Sequence, residues 1–458
     1  MSVPETEIAA DIQQRQIEKM TPEEKRELAK RLLKQRADAS IAASAKTSAS
    51  ADGPVAIAEP DFSTHPGYVK VKTQRELAQT FGVEIPYFKK LEGIGRARSV
   101  IEGVEYDNYA STNYLDLCGH PEVTAAGAAA LEKYGTSVQS SRIAGGECPL
   151  HQELERDIAD LVGAEDCIVY LSGFLANVTT IGYLFGPKDL IVHDSLMHNS
   201  AVQGVLLSHA KRMAFPHNDY EALDRLLAEH RRNYERVLVI TEGMFSMDGD
   251  YPDVPKFIEV KKRHKAYLMV DEAHSIGVVG DRGLGVKERY NLDTNDVDIW
   301  MGSLSNALAS CGGYIAGKKE LVENLKYSAP GFIYTVGLPP ASTAASIVAL
   351  RLMKEEPWRV QTLHERAGLF RQLCKERGLN TGPSAGLSVI PVITGSSLLA
   401  LMIANAMVQE GINVQPAIAP AVEEQGARLR FFLSCGHTEE MVRRAVDSVA
   451  GHLARLRS

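Results

Sequence analysis

The chain is predicted to be an α/β protein: a mostly parallel sheet of about seven strands in a large domain, followed by a smaller C-terminal α+β domain. Three observations predict it. From about residue 108 to 340, short apolar runs alternate with helical patterns, and strands separated by helix-length segments pair in parallel. The runs read as buried strands, as expected of a sheet covered by helices on both faces. From about residue 341 onward the pattern becomes a shorter helix-and-strand unit that includes Ala427-Arg428-Leu429-Arg430-Phe431-Phe432. At 458 residues the chain is long enough for two or three domains around a large core.

Taken in order, residues 1–55 read as a helical arm and linker. Met20-Thr21-Pro22-Glu23-Glu24 gives a cap followed by proline at a helix start. Leu28, Leu32 and Leu33 then recur at helical spacing, and a Ser/Ala-rich stretch from Asp38 to about Gly53 reads as flexible. Such an arm is a disordered tail, a dimer-wrapping helix or a docking helix. Residues 56–107 form an N-terminal segment, 108–340 the large domain and 341–458 the small one. Within the large domain Cys167–Leu171, Leu190–His193, Val237–Thr241, Tyr267–Asp271 and Ile299–Met301 read as strands, with another over Gly312–Gly317. In such sheets ligands bind beyond the carboxyl ends of the strands, where the polar motifs of this chain cluster.

Composition excludes several classes. With 45% hydrophobic and 24% charged residues the chain is ordinary for a globular protein, and a net charge of −8 argues against a nucleic-acid or anionic-membrane binder. The six cysteines are scattered without metal-ligand spacing, which predicts reduced thiols, a cytoplasmic location and no metal. The polar N-terminus is unlike a signal peptide, and the apolar run near Leu398–Ala404 is too short to span a bilayer.

The informative residues are Asp271 and His274, in the run Asp271-Glu272-Ala273-His274, and the segment Met301 to Tyr314 some thirty residues later. Together they look like the floor of a pyridoxal 5′-phosphate (PLP) site. A protonated pyridine nitrogen requires a neighbouring carboxylate, and Asp271 ends a strand where it could supply one. The phosphate requires backbone amides at a helix N-terminus, and Ser172-Gly173-Phe174 follows a strand directly. Ser303 and Ser305 could add hydroxyls, and His198 could stack on the ring. Each element alone is commonplace: a strand-end aspartate is more often a cap, and Ser-Gly occurs in many turns. The order and spacing are specific.

That order resembles the α-oxoamine synthases, PLP enzymes of fold type I that include aminooxononanoate synthase, aminolevulinate synthase, aminoketobutyrate ligase and serine palmitoyltransferase. The resemblance covers roughly residues 80–455. It is carried by Asn108-Tyr109-Ala110-Ser111-Thr112-Asn113-Tyr114-Leu115, Gly135-Thr136-Ser137, Ser141-Arg142, Pro149-Leu150-His151, Ser172-Gly173-Phe174, Thr241-Glu242-Gly243-Met244-Phe245-Ser246-Met247-Asp248-Gly249 and Asp271 to His274. Ser310 to Gly317 and the arm resemble the branch associated with polyketide and nonribosomal peptide assembly lines. The resemblance implies that His198 stacks on the ring, Asp271 pairs with its nitrogen, and Ser246 and His274 face its phenolic oxygen. Gly173, Phe174 and Ser303 would hold the phosphate. Arg430 would receive the substrate carboxylate, with Arg428 its rival two residues away on the same strand face. Thr335 would reach a phosphate across a homodimer interface, although Val336 and Gly337 replace hydroxyl residues found in relatives.

The implied reaction joins an amino acid to an acyl thioester, with decarboxylation in most members, giving an α-amino ketone. An assembly-line setting implies an acyl carrier protein as donor. The family's Schiff-base lysine falls at Asn306. Asparagine has no basic nitrogen, and Lys318 and Lys319 lie beyond the next strand. Three readings follow: an active synthase in which the lysine has been replaced to trap an intermediate, a degenerate scaffold partner, or a pocket turned to lysine-independent acyl transfer.

Overall fold

The computed structural model describes residues 59–80 and 82–457; the arm and linker expected over 1–55 lie outside them. After the helix Pro66–Thr80 the strands run β1 (Leu91–Glu92), β2 (Arg98–Ile101), β3 (Val104–Asn108), β4 (Asp166–Tyr170), β5 (Leu190–Asp194), β6 (Lys211–Phe215), β7 (Val237–Glu242), β8 (Tyr267–Asp271), β9 (Ile299–Ser303) and β10 (Gly313–Gly317). They continue with β11 (Val389–Ile393), β12 (Ile412–Asn413), β13 (Gln415–Ala417) and β14 (Arg428–Phe432).

The central sheet has seven strands in the order β4-β10-β9-β8-β7-β5-β6, with β10 antiparallel to both neighbours and the remaining pairs parallel. Successive residues of one strand feed opposite cores: Val237 and Val239 pack into one apolar cluster, Leu238 and Ile240 into the other. Both faces are therefore covered, which is why the inner strands are apolar up to their carboxyl ends. Strand β6 escapes the sequence reading because it is an edge. Lys211 and Arg212 are exposed, charges that protect an unpaired edge from adding further strands.

A three-stranded antiparallel sheet, β11-β14-β13, lies in the C-terminal part. It packs with the helices Trp358–Glu376 and Ser397–Gln409. The N-terminal strands join this end of the chain: β3 pairs in parallel with β12, and Arg444 holds Asp107. Two approaches set up the active-site region. The residues after β14 run beside the segment 109–114, with Phe432 N donating to Tyr109 O and Cys435 N to Tyr114 O. On the sheet, Gly313 of β10 lies under Gly173. A Cβ on Gly313 would stand 2.4 Å from the Gly173 Cα, so only glycine lets the helix Gly173–Leu184 begin directly against the strands.

Candidate active site

The carboxyl ends of β5, β7, β8 and β9 bring together residues far apart in sequence. Asp271 closes β8 and is buried. Its Oδ1 accepts from the Ala273 amide (2.9 Å) and its Oδ2 from Asn177 Nδ2 (2.9 Å), which also donates to Ser200 Oγ at 2.8 Å. Asp271 has no ion-pair partner among the described residues. Burial raises its pKa, against the pull of Asn177, the Ala273 amide and the nearby His198. A buried carboxyl without a cation suits a protonated ring nitrogen, whose charge would supply the missing compensation. Beside it Glu242, at the end of β7, accepts from the His198 amide at 2.6 Å. Burial, with Asp271 close by, pushes the Glu242 carboxyl well above its ordinary range.

His198 caps the helix Asn199–Ser208. Its Nδ1 accepts from Ser200 N (3.2 Å) and lies 2.7 Å from Ser200 Oγ. His274 Nδ1 is 2.7 Å from the buried Tyr114 hydroxyl. Burial lowers the His274 pKa to about 3, with Arg430 and His198 adding to the effect, so its ring is neutral. Asn306 lies in the turn after β9, buried, and its Nδ2 donates to the Ala273 carbonyl at 2.6 Å. It therefore ties itself to the Asp271–His274 turn.

At the other end of this floor, Ser172 caps the helix Gly173–Leu184, its hydroxyl accepting from Leu175 N at 3.0 Å. The Gly173 and Phe174 amides, in the first turn, have no intrahelical acceptor. A Cβ on Gly173 would lie 3.6 Å from Ser303 Oγ and 3.1 Å from Met301 Cε, so the Ser303 hydroxyl borders this N-terminus. Ser303 Oγ is 2.6 Å from Ser305 Oγ. Two amides, a helix dipole and two hydroxyls make an anion cradle that fits a phosphate.

The two arginines of β14 separate cleanly. Arg428 Nη1 is 2.5 Å from Asp248 Oδ1 and 3.1 Å from Met247 O, and its Nε donates to Gly426 O at 2.7 Å. It is fully committed. Arg430 makes no ion pair among the described residues. Its Nη1 donates to the Ser246 carbonyl (3.1 Å) and approaches Met247 Sδ, its guanidinium lies over the Phe432 ring, and its buried Nε has no partner. Burial, with the Arg428 cation nearby, lowers its pKa; an uncompensated guanidinium of this kind invites an anion. Ser246 thus meets Arg430 through its carbonyl. Thr335 is not joined to this group: its hydroxyl donates to Gly331 O at 2.7 Å, next to the exposed Tyr334.

Tyr114, Asn177 and Glu242 were not singled out by their sequence context, although all three lie in or beside the motif runs. Only the fold shows Asn177 reaching Asp271 or Glu242 reaching His198. A separate cavity of about 360 Å³ lies at the amino ends of β8 and β9, lined by Phe185, Tyr267 and Leu321 among others. None of the unpartnered buried polar atoms among the described residues lines it.

Comparison with known proteins identifies the family. The profile of the aminotransferase class I and II family matches residues 108–449. The chain is 36% identical to 8-amino-7-oxononanoate synthase of Thermoanaerobacter pseudethanolicus over 76% of its length and 88% of the relative's. It is 38% identical to the Geobacter sulfurreducens enzyme of the same name, over 79% and 92%. Among solved structures, a lysine-to-alanine form of serine palmitoyltransferase from S. paucimobilis with bound PLP–myriocin aldimine superposes with a TM-score of 0.83 at 26% identity. That match covers 87% of this chain and all of the other. The chain belongs to the aminotransferase class I and II family of PLP-dependent enzymes, with the fold-type-I architecture and with α-oxoamine synthases among its relatives.

Proposed function

We propose that this chain holds PLP and one amino acid in a site built for decarboxylative condensation with an acyl thioester, and that Asn306 leaves the site able to bind but slow to turn over. The observation that carries the reading is Arg430: a buried guanidinium with an unpartnered Nε, beside Ser246 and close enough to His274 to depress its pKa. Such a group suits a carboxylate, because its planar fork matches two oxygens.

PLP supplies an electron sink that stabilises negative charge at the α-carbon. The other parts belong to the chain. Asp271, oriented by Asn177 and the Ala273 amide, would keep the ring nitrogen protonated. The Gly173 and Phe174 amides and Ser303 would take the phosphate. His198, fixed by Glu242 and Ser200, would cover one ring face. His274, neutral and oriented by Tyr114, would offer an uncharged hydrogen bond at the phenolic-oxygen side, as would Ser246. Arg430 would fix the amino acid through its carboxylate until that group leaves.

Position 306 faces the same turn, but Asn306 has no basic nitrogen and its Nδ2 already donates to Ala273 O. It can neither accept nor return the α-proton. Loss of a general acid–base group typically costs about a hundred- to ten-thousand-fold in rate. The intact surroundings favour a site missing only its lysine over a degenerate scaffold. The resemblance to assembly-line enzymes further supports a carrier-protein acyl donor docked through residues 1–55, and a homodimer in which Thr335 serves the partner's cofactor. Thiol release from an acyl thioester tests the core reading. Asn306→Lys should exceed the Asn306 protein by at least about a hundredfold; equal rates would show that lysine is not the missing part.

A further inference from the structure

Resting on that assignment of Arg430, we infer that His217 is a positioning residue: a cationic brace between the turn that presents His198 and the turn that anchors Arg430. Its Nδ1 is 2.9 Å from Asp194 Oδ1 and its Nε2 is 2.9 Å from Asp250 Oδ2. Asp194 ends β5 and also accepts from Leu196 N and Asn218 N, both at 2.8 Å, so it shapes the turn leading into His198. Asp250 closes the other turn, where Phe245 N donates to Asp250 O and Gly249 N to Phe245 O. The Phe245 ring meets the imidazole edge-on at 4.4 Å. Within that turn lie Ser246, whose carbonyl receives Arg430, and Asp248, which holds Arg428.

The turn is thus gripped from two sides, by the arginines of β14 and by His217 from the central sheet. The charge of the brace matters. Asp194, Asp250 and Glu242 face this region, and Asp250 Oδ1 is buried without a hydrogen-bond partner; Asn218 adds only neutral contacts to Asp250 Oδ2 and Asp194. Burial alone would lower the His217 pKa, but its hydrogen bonds to Asp194 and Asp250 outweigh that and raise it to about 10. His217 therefore stays an imidazolium at working pH. His198 has independent anchors in Glu242 and Ser200, so loss of the brace should release mainly the Phe245–Asp250 turn and, with it, Arg430.

A double-mutant cycle tests this on the PLP-loaded protein, with amino-acid dissociation constants read from the cofactor's visible spectrum and PLP affinity measured separately. His217→Gln should raise the amino-acid dissociation constant about tenfold and change PLP affinity less than about threefold. In an Arg430→Gln background the same substitution should have almost no further effect, because the group it positions is gone. Independent, multiplying effects would overturn the inference, since a general loss of packing would act equally in both backgrounds. If Arg430→Gln leaves amino-acid binding unchanged, the carboxylate assignment fails first and the brace fails with it. If His217→Gln does not fold, Asp250→Asn loosens one end of the brace and enters the same cycle with the same expected coupling.

Discussion

Two arginines two residues apart on one strand make opposite predictions, because one is committed and the other is not. Arg430→Gln removes a guanidinium that has no ion-pair partner among the described residues. In a desolvated site, truncating one partner of a hydrogen-bonded charge pair costs about 2–5 kcal/mol of binding, or roughly 30- to 5,000-fold in the dissociation constant for an amino acid. Folding stability should change little, since Arg430 gives up one carbonyl contact, one weak sulfur contact and its place over the Phe432 ring while a buried cation disappears. Arg428→Gln does the reverse. It leaves Asp248 buried beside Met247 without its cation, and breaking a buried pair from one side typically destabilises by about 3–5 kcal/mol. Because Arg428 also steadies the turn that receives Arg430, amino-acid affinity in the fraction that stays folded should fall at most about tenfold, far less than in Arg430→Gln. The assay pairs a spectral titration of amino acid into the PLP-loaded protein with denaturant unfolding of each variant. An Arg430→Gln protein that binds as before, or an Arg428→Gln protein as stable as its parent that no longer binds, would refute the division of roles.

Two further predictions follow from other parts of the structure. Burial raises the Glu272 carboxyl from 4.5 to about 7, where it accepts from the Ser275 hydroxyl and Val286 N. Stability tied to its protonated form is complete below 4.5 and lost as pH rises to about 7, on the order of 3 kcal/mol; Glu272→Gln should flatten unfolding free energy between about pH 4.5 and 7, and an unchanged slope would contradict this. In the lysine-restored protein, a carrier-bound acyl group should outperform the free coenzyme A thioester, and deletion of residues 1–55 should erase that preference; equal rates with both donors would remove the carrier protein from the account.

The sequence made the fold legible where both faces of a strand are buried. β5, β7, β8 and β9 are apolar until their carboxyl ends, where the polar site residues begin, and their expected positions hold to within a residue or two. β6 was hidden by the charges that an edge strand carries, and the pairing of β3 with β12 joins segments some three hundred residues apart, which no local pattern encodes. The site divides in the same way. Asp271, His274, His198 and Gly173 stand at strand ends or helix starts, and strand and turn signals locate such places. Which of Arg428 and Arg430 is held in an ion pair was not readable, because both side chains share one face of β14. It depends on Asp248, 180 residues earlier in the chain. Asn177 and Glu242 look like ordinary helix and strand residues until the fold sets them against Asp271 and His198.

With Asn306 in place, this chain should bind PLP and one amino acid together. The measurement that tests it most directly is the visible spectrum of the purified protein with PLP, titrated with a panel of amino acids beside Asn306→Lys. The Asn306 protein should bind PLP without a covalent link to the chain, removable by dialysis. One amino acid should then shift its band saturably, and the same amino acid should be the one the lysine form turns over. Failure of the Asn306 protein to bind PLP, or a lysine form that responds to no amino acid, would contradict it.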